Sequence, residues 1–84
     1  MIIPYGKISS MRQLGEIIRM KRKSSGVTQN DAAALTGVGT RFLSELERGK
    51  ETAEFGKALH VLGRLGLELW VVPRGSQGPE SSGA

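Results

Sequence analysis

The sequence predicts a mainly α-helical domain of four helices closed by one short C-terminal strand. Three observations carry that expectation. Apolar residues recur at helical intervals in four stretches of the 84-residue chain, and glycines fall just past the ends of those stretches. The segment Leu67–Val72, LELWVV, is rich in strand formers and too short for a further helix. At the centre lies Thr28–Lys50, TQNDAAALTGVGTRFLSELERGK, with the proportions of two short helices joined by a tight turn.

Residues 1–9 begin with Ile2, Ile3, Pro4 and Tyr5. Pro4 and Gly6 prevent a long helix from starting there, so an arm that packs on the domain or on a partner is expected. Ser10 then opens the first helix, with Gln13 at the reciprocal capping-box spacing. Leu14, Ile17, Ile18 and the aliphatic stem of Lys21 form one apolar stripe. Arg12, Arg19, Arg22 and Lys23 are placed on the other faces, and Gly26 ends the helix.

Thr28 is placed to cap the second helix, with Asp31 in its first turn favoured by the helix dipole. After about eight residues the chain turns through Thr36, Gly37 and Val38, and a third helix of about nine residues runs to Arg48. Gly26, Gly37 and Gly49 each sit where a helix end calls for the left-handed conformation. Ala33, Val38, Leu43 and Leu46 can share an interior, and the small run Ala32–Ala34 permits close helix packing. The outward set, Gly39, Thr40, Arg41, Ser44, Glu45 and Arg48, offers short polar groups and two guanidiniums. Such a surface suits contact with base edges better than packing.

Beyond Gly49, Thr52 is expected to cap a fourth helix, with Glu54 in its first turn and an inward stripe of Phe55, Ala58, Leu59, Leu62 and Leu65. Lys57, His60 and Arg64 face away, and Gly66 ends the helix. Leu67, Leu69, Trp70, Val71 and Val72 then make the strand. A lone strand leaves its backbone groups unpaired, so pairing with the same strand of a second copy in a two-fold homodimer is expected. Pro73 stops it, and RGSQGPESSGA reads as a disordered tail. The chain is thus organised as an arm (1–9), one domain (10–72) and a tail (73–84).

A domain of this length buries only about 60% of its unfolded surface, which favours help from a partner subunit. There is no cysteine and only one histidine, His60, so neither a disulfide framework nor a metal site is expected. No apolar run is long enough to span a bilayer and the N-terminus lacks signal-peptide character, which points to a cytoplasmic protein without a membrane partner. The net charge of +4 is unevenly placed: residues 1–50 hold nine Lys/Arg and four Asp/Glu, residues 51–84 three and four. The basic half is the half with the paired short helices, which suits phosphate binding. Converging catalytic groups are absent from the pattern. Gly37-Val38-Gly39 lacks the preceding strand and the lysine of a P-loop, and no enzymatic activity or cofactor is expected.

Thr28-Gln29, Ala33, Gly37, the RFLSELERGK run at 41–50 and the basic RMKRKSSG at 19–26 together resemble the helix-turn-helix of the Cro/CI (XRE) repressor family. The layout is similar to HipB-like antitoxins, in which such a segment is followed by one more helix and a short strand. The resemblance spans Ser10 to Val72 and implies a lambda-repressor-like domain bound to a palindromic operator on double-stranded DNA. It implies base reading by Gly39, Thr40, Arg41, Ser44 and Glu45, with the Arg41 fork on a guanine. Phosphate contacts fall to Arg19, Thr28, Gln29, Arg48 and Lys50, although Gln29 could equally be a plain surface residue at a helix start. Arg22 and Glu47 match a buried ion pair typical of these domains. A HipB-like protein would neutralise a HipA-type serine/threonine kinase toxin and repress its own operon from the bacterial nucleoid. The toxin would meet the free faces of the first and fourth helices, near Lys57, His60, Arg64 and Glu68, or the tail. Two alternatives stay open: a stand-alone Cro/CI-like regulator without a toxin, and an interaction module that binds an acidic protein.

Overall fold

The computed structural model describes residues 6–75, within which four helices follow in order: α1 Met11–Ser24, α2 Gln29–Thr36, α3 Thr40–Glu47 and α4 Phe55–Arg64. The expectations for Ile2 to Tyr5 and for the tail beyond Gly75 lie outside the described residues. Each helix contributes to one small core. Leu14 and Ile18 of α1, Ala32 and Ala33 of α2, Leu43 and Leu46 of α3, and Ala58, Val61 and Leu62 of α4 are buried together. Ile8, Met11, Val27, Val38, Phe42, Ala53, Leu65 and Leu67 pack around them, half-buried.

Local chemistry sets the helix starts. The Gln13 N–H donates to Ser10 Oγ at 3.2 Å, and the Asp31 N–H donates to Thr28 Oγ1 at 3.1 Å. The return bond of the expected capping box is displaced by one residue: Gln13 Oε1 accepts from the N–H of Ser9, not of Ser10. α4 starts later than expected. Glu54, not Thr52, is its cap and accepts the Lys57 N–H at 3.0 Å, because Thr52 falls within the turn that follows Gly49.

Two stripes differ from expectation. Arg22 does not lie on an outer face of α1; it is buried beside Leu14, Gly15 and Ile18. On α4 the inward stripe is Ala58, Val61 and Leu62, with Leu65 at its end, while Phe55 is 47% and Leu59 40% exposed. The helix carries more apolar residues than one face can hold, so two overlapping stripes satisfy the same period and packing selects one of them.

Gly15 and Gly49 decide how α1 meets α3. A Cβ at Gly15 would lie 2.9 Å from the Glu47 carbonyl oxygen and collide with that of Leu46, and one at Gly49 would lie 2.6 Å from Arg12 Cα. The absence of side chains at both positions lets the backbones approach this closely.

The expected strand at Leu67–Val72 is not formed among the described residues. Leu67 closes α4, its N–H donating to the Leu62 carbonyl at 2.9 Å, and its side chain reaches the core. From Glu68 onward the chain is exposed, and nothing among the described residues runs alongside it to supply a ladder.

Candidate nucleic-acid interface

The turn between α2 and α3 places one helix across the start of the other. Gly37 takes φ 76°, and both its N–H and that of Val38 bond the Ala33 carbonyl, closing α2 so that the chain reverses within three residues. Gly39 then begins α3 without a side-chain cap, and a Cβ there would meet nothing within 4 Å, so the backbone at the helix start lies open. α3 is sharply two-sided. Leu43, Leu46 and Glu47 are buried, Thr40, Arg41 and Arg48 are exposed, and Ser44 and Glu45 are intermediate.

The exposed side of α3 is internally connected. The Thr40 hydroxyl donates to Asn30 Oδ1 at 3.2 Å, tying the α3 start to the first turn of α2. Arg41 is 91% exposed along its side chain, and its Nε lies 3.5 Å from Glu45 Oε2. Lys50 Nζ donates to Glu45 Oε1 at 3.2 Å. Gly49, at φ 86°, turns the chain so that the Lys50 N–H also bonds the Glu45 carbonyl, which sets Lys50 over the last turn of α3. The hydrogen bond and charge of Lys50, and then the charge of Arg41, hold the Glu45 carboxyl below its ordinary range against a smaller opposing effect of burial.

Beneath this surface lies a satisfied polar cluster. Arg22 Nε donates to Glu47 Oε2 at 2.6 Å and Nη2 to Oε1 at 2.9 Å, a two-pronged pair, while Nη1 donates to the Val27 carbonyl at 2.8 Å. The hydrogen bond to Glu47 raises the Arg22 pKa further above its usual value. Gln29 adds a fourth bond, its Nε2 donating to Glu47 Oε1 at 3.0 Å. Among the described residues no buried side-chain polar atom lacks a partner.

The same cluster floors an open depression of about 400 Å³ whose rim carries Arg19, Lys23, Ser44 and Arg48. Three cations of α1 and α3 thus surround the N-terminus of α2, a setting that attracts phosphate. Of the residues expected to meet phosphate, Arg19, Gln29 and Arg48 come together here. Thr28 is occupied by its capping bond, and Lys50 lies with Glu45. Sequence reasoning does not single out Asn30 and Lys23 as part of this surface. Lys23 stands four residues after Arg19 and so shares its helix face, and Asn30 directly follows Gln29, so both are within reach of spacing arguments.

The C-terminal residues form a separate apolar patch. Leu69 and Val72 are each 37% exposed, Trp70 51% and Val71 93%, whereas Leu67 is engaged with the core. Among the described residues no group of three potential ligands could hold a metal ion, and no helix is long and apolar enough to cross a membrane.

Residues 18–68 match a protein family described as helix-turn-helix, a span that takes in the last turns of α1 and all of α2 to α4. An uncharacterized HTH-type transcriptional regulator, y4mF, of Sinorhizobium fredii is 37% identical over 71 residues, covering 84% of this chain and 93% of that protein. Among solved structures, a HipB variant in complex with an O2 20mer superposes with a TM-score of 0.76 at 22% identity, over 84% of this chain and 99% of that one. A HipA-HipB-O2-O3 complex contains a chain that superposes with a TM-score of 0.75 at 23% identity, over 83% and 99%. These structural likenesses describe the fold, and the family match with the 37% identical relative describes the kind of protein. The chain belongs to the XRE-type helix-turn-helix family of DNA-binding transcriptional regulators.

Proposed function

We propose that this chain is a homodimeric, sequence-specific repressor that serves as the antitoxin of a HipA-type serine/threonine kinase and represses its own operon. The carrying observation is the exposed face of α3. Thr40, Arg41 and Ser44 stand outward beside the Arg19, Lys23 and Arg48 cluster, so a major-groove reader adjoins a phosphate clamp. In this reading Arg41 forks onto a guanine, Thr40 and Ser44 touch neighbouring edges, and the open backbone at Gly39 permits close approach. Arg19, Arg48, Lys50 and the α2 start at Thr28 and Gln29 hold the duplex in register.

The dimer is formed by a second copy covering Leu69, Trp70, Val71 and Val72, with Phe55 and Leu59 at the margin. Contiguous exposed apolar residues of this kind favour a partner surface. Segment Leu67–Val72 pairs with its counterpart there, and the two α3 helices face half-sites about one helical turn, or 34 Å, apart. The protein works in the cytoplasm, on the nucleoid, by binding alone and without a cofactor.

The antitoxin role is supported by the likeness to HipB along nearly its whole chain, including HipB taken from a complex with HipA. A stand-alone regulator is the second reading, favoured by the relative that is named only as a transcriptional regulator. Co-expression with a kinase encoded beside this gene separates them. The antitoxin reading expects co-purification and loss of toxicity, and a kinase that stays free and toxic leaves the stand-alone reading.

A further inference from the structure

Glu45 is an unusual group to find on a surface meant for phosphates. Its carboxylate is three-quarters covered, at 24% side-chain exposure, whereas the two cations that reach it are far freer, Arg41 at 91% and Lys50 at 47%. The acid is therefore the fixed point and the cations are the moving parts. Their positions follow from the backbone: Arg41 lies one helical turn before Glu45, and the Gly49 turn folds Lys50 back over it. A carboxylate that holds two cations lowers the charge this face presents to any duplex, and it repels phosphates brought near it.

Resting on the DNA-binding reading above, we propose that Glu45 is a discrimination element: it keeps Arg41 and Lys50 occupied on non-cognate duplexes and releases Arg41 only to a base edge that accepts both prongs of its fork. A phosphate competes for Arg41 as a single diffuse charge screened by counterions. A guanine offers O6 and N7 in the fork's own geometry, inside a groove that excludes much of the water. The carboxylate therefore subtracts from all binding but subtracts least where the correct base stands. Specificity rises at the expense of affinity, as is common where a repulsive group is retained.

The experiment compares the full-length wild type with Glu45→Gln on two duplexes, one enriched by the wild type from a random pool and one of scrambled sequence, across a salt series. Loss of one negative charge adds about 0.9 to the salt slope on the scrambled duplex, which corresponds to about an eightfold gain in affinity at 0.1 M salt. The enriched duplex should gain less, so the ratio between them falls. Lys50→Gln in the Glu45→Gln background should then have a larger effect than in the wild type, since Lys50 is no longer held. Weaker binding of the enriched duplex with no change on the scrambled one would instead make Glu45 a direct base reader and overturn the proposal, as would strictly additive Glu45 and Lys50 effects. A wild type that binds no duplex at all would remove the DNA-binding reading itself.

Discussion

Arg22 Nε and Glu47 Oε2 lie 2.6 Å apart across 25 residues of sequence, and this pair joins the end of α1 to the end of α3. Both groups are buried, at 7% and 6% exposure, and Gln29 and the Val27 carbonyl complete their hydrogen bonding. The frame that presents α3 therefore hangs on one ionic contact and two bare backbone positions. Glu47→Gln strands the guanidinium and should cost about 3–5 kcal/mol, a fall in Tm of more than about 10 °C for a domain of this size. Thermal melting followed by circular dichroism checks it. Replacing both partners together, Arg22→Met with Glu47→Leu, should recover most of the loss, because it leaves no unpaired charge.

Gly15 tests the close approach of α1 to α3. Alanine is the better helix former by about 1 kcal/mol, yet Gly15→Ala should destabilise by about 1–3 kcal/mol, because its Cβ meets backbone carbonyls that cannot turn aside. Gly63 is the control. It lies within α4, and a methyl group added there would meet nothing within 4 Å, so Gly63→Ala should stabilise by about 0.5–1 kcal/mol. Urea titration of both variants should give opposite signs.

Arg48 is exposed on the rim of the cationic depression. Arg48→Ala should weaken binding to every duplex alike and lower the salt slope by about 0.9, one phosphate's share. Anisotropy titrations on several unrelated duplexes check it, and an effect confined to one sequence would assign Arg48 to base reading.

Removal of the residues after Glu68 keeps Leu67 in the core and takes away Trp70, Val71 and Val72. The shortened chain should remain folded, sediment as a monomer and lose most of its affinity for a palindromic site. A dimer that survives this truncation would place the interface elsewhere.

The helix-turn-helix is legible in the sequence because three independent signals coincide on it: Thr28 as cap, Gly37 and Gly49 at left-handed ends, and Leu43 and Leu46 at helical spacing. α4 is legible in existence but not in orientation, since Phe55, Leu59 and Leu62 satisfy the same period as Ala58, Val61 and Leu62, and only packing against α2 distinguishes them. Periodicity places Arg22 outward for a similar reason. Its burial depends on Glu47, 25 residues away, and the pairing is visible in this sequence only through family resemblance. The strand at Leu67–Val72 needs an edge to pair with, which sequence patterning within one chain cannot supply. The links of Glu45 to Arg41 and Lys50 follow from helix spacing and the Gly49 turn, but which of the three is buried is decided by tertiary packing.

The most direct measurement is a selection of bound duplexes from a random-sequence pool by the wild type and by Arg41→Ala, with salt-dependent titration of the enriched pools. If α3 reads the major groove through Arg41, the wild type should enrich a palindromic motif with a guanine in each half-site and bind it with a steep salt dependence. Arg41→Ala should lose that one position in each half, a discrimination of about 1–3 kcal/mol, and keep the rest of the motif. A wild type that enriches no motif, or an Arg41→Ala variant that enriches the same motif with the guanine intact, would contradict the assignment of α3 and Arg41 as the reading elements.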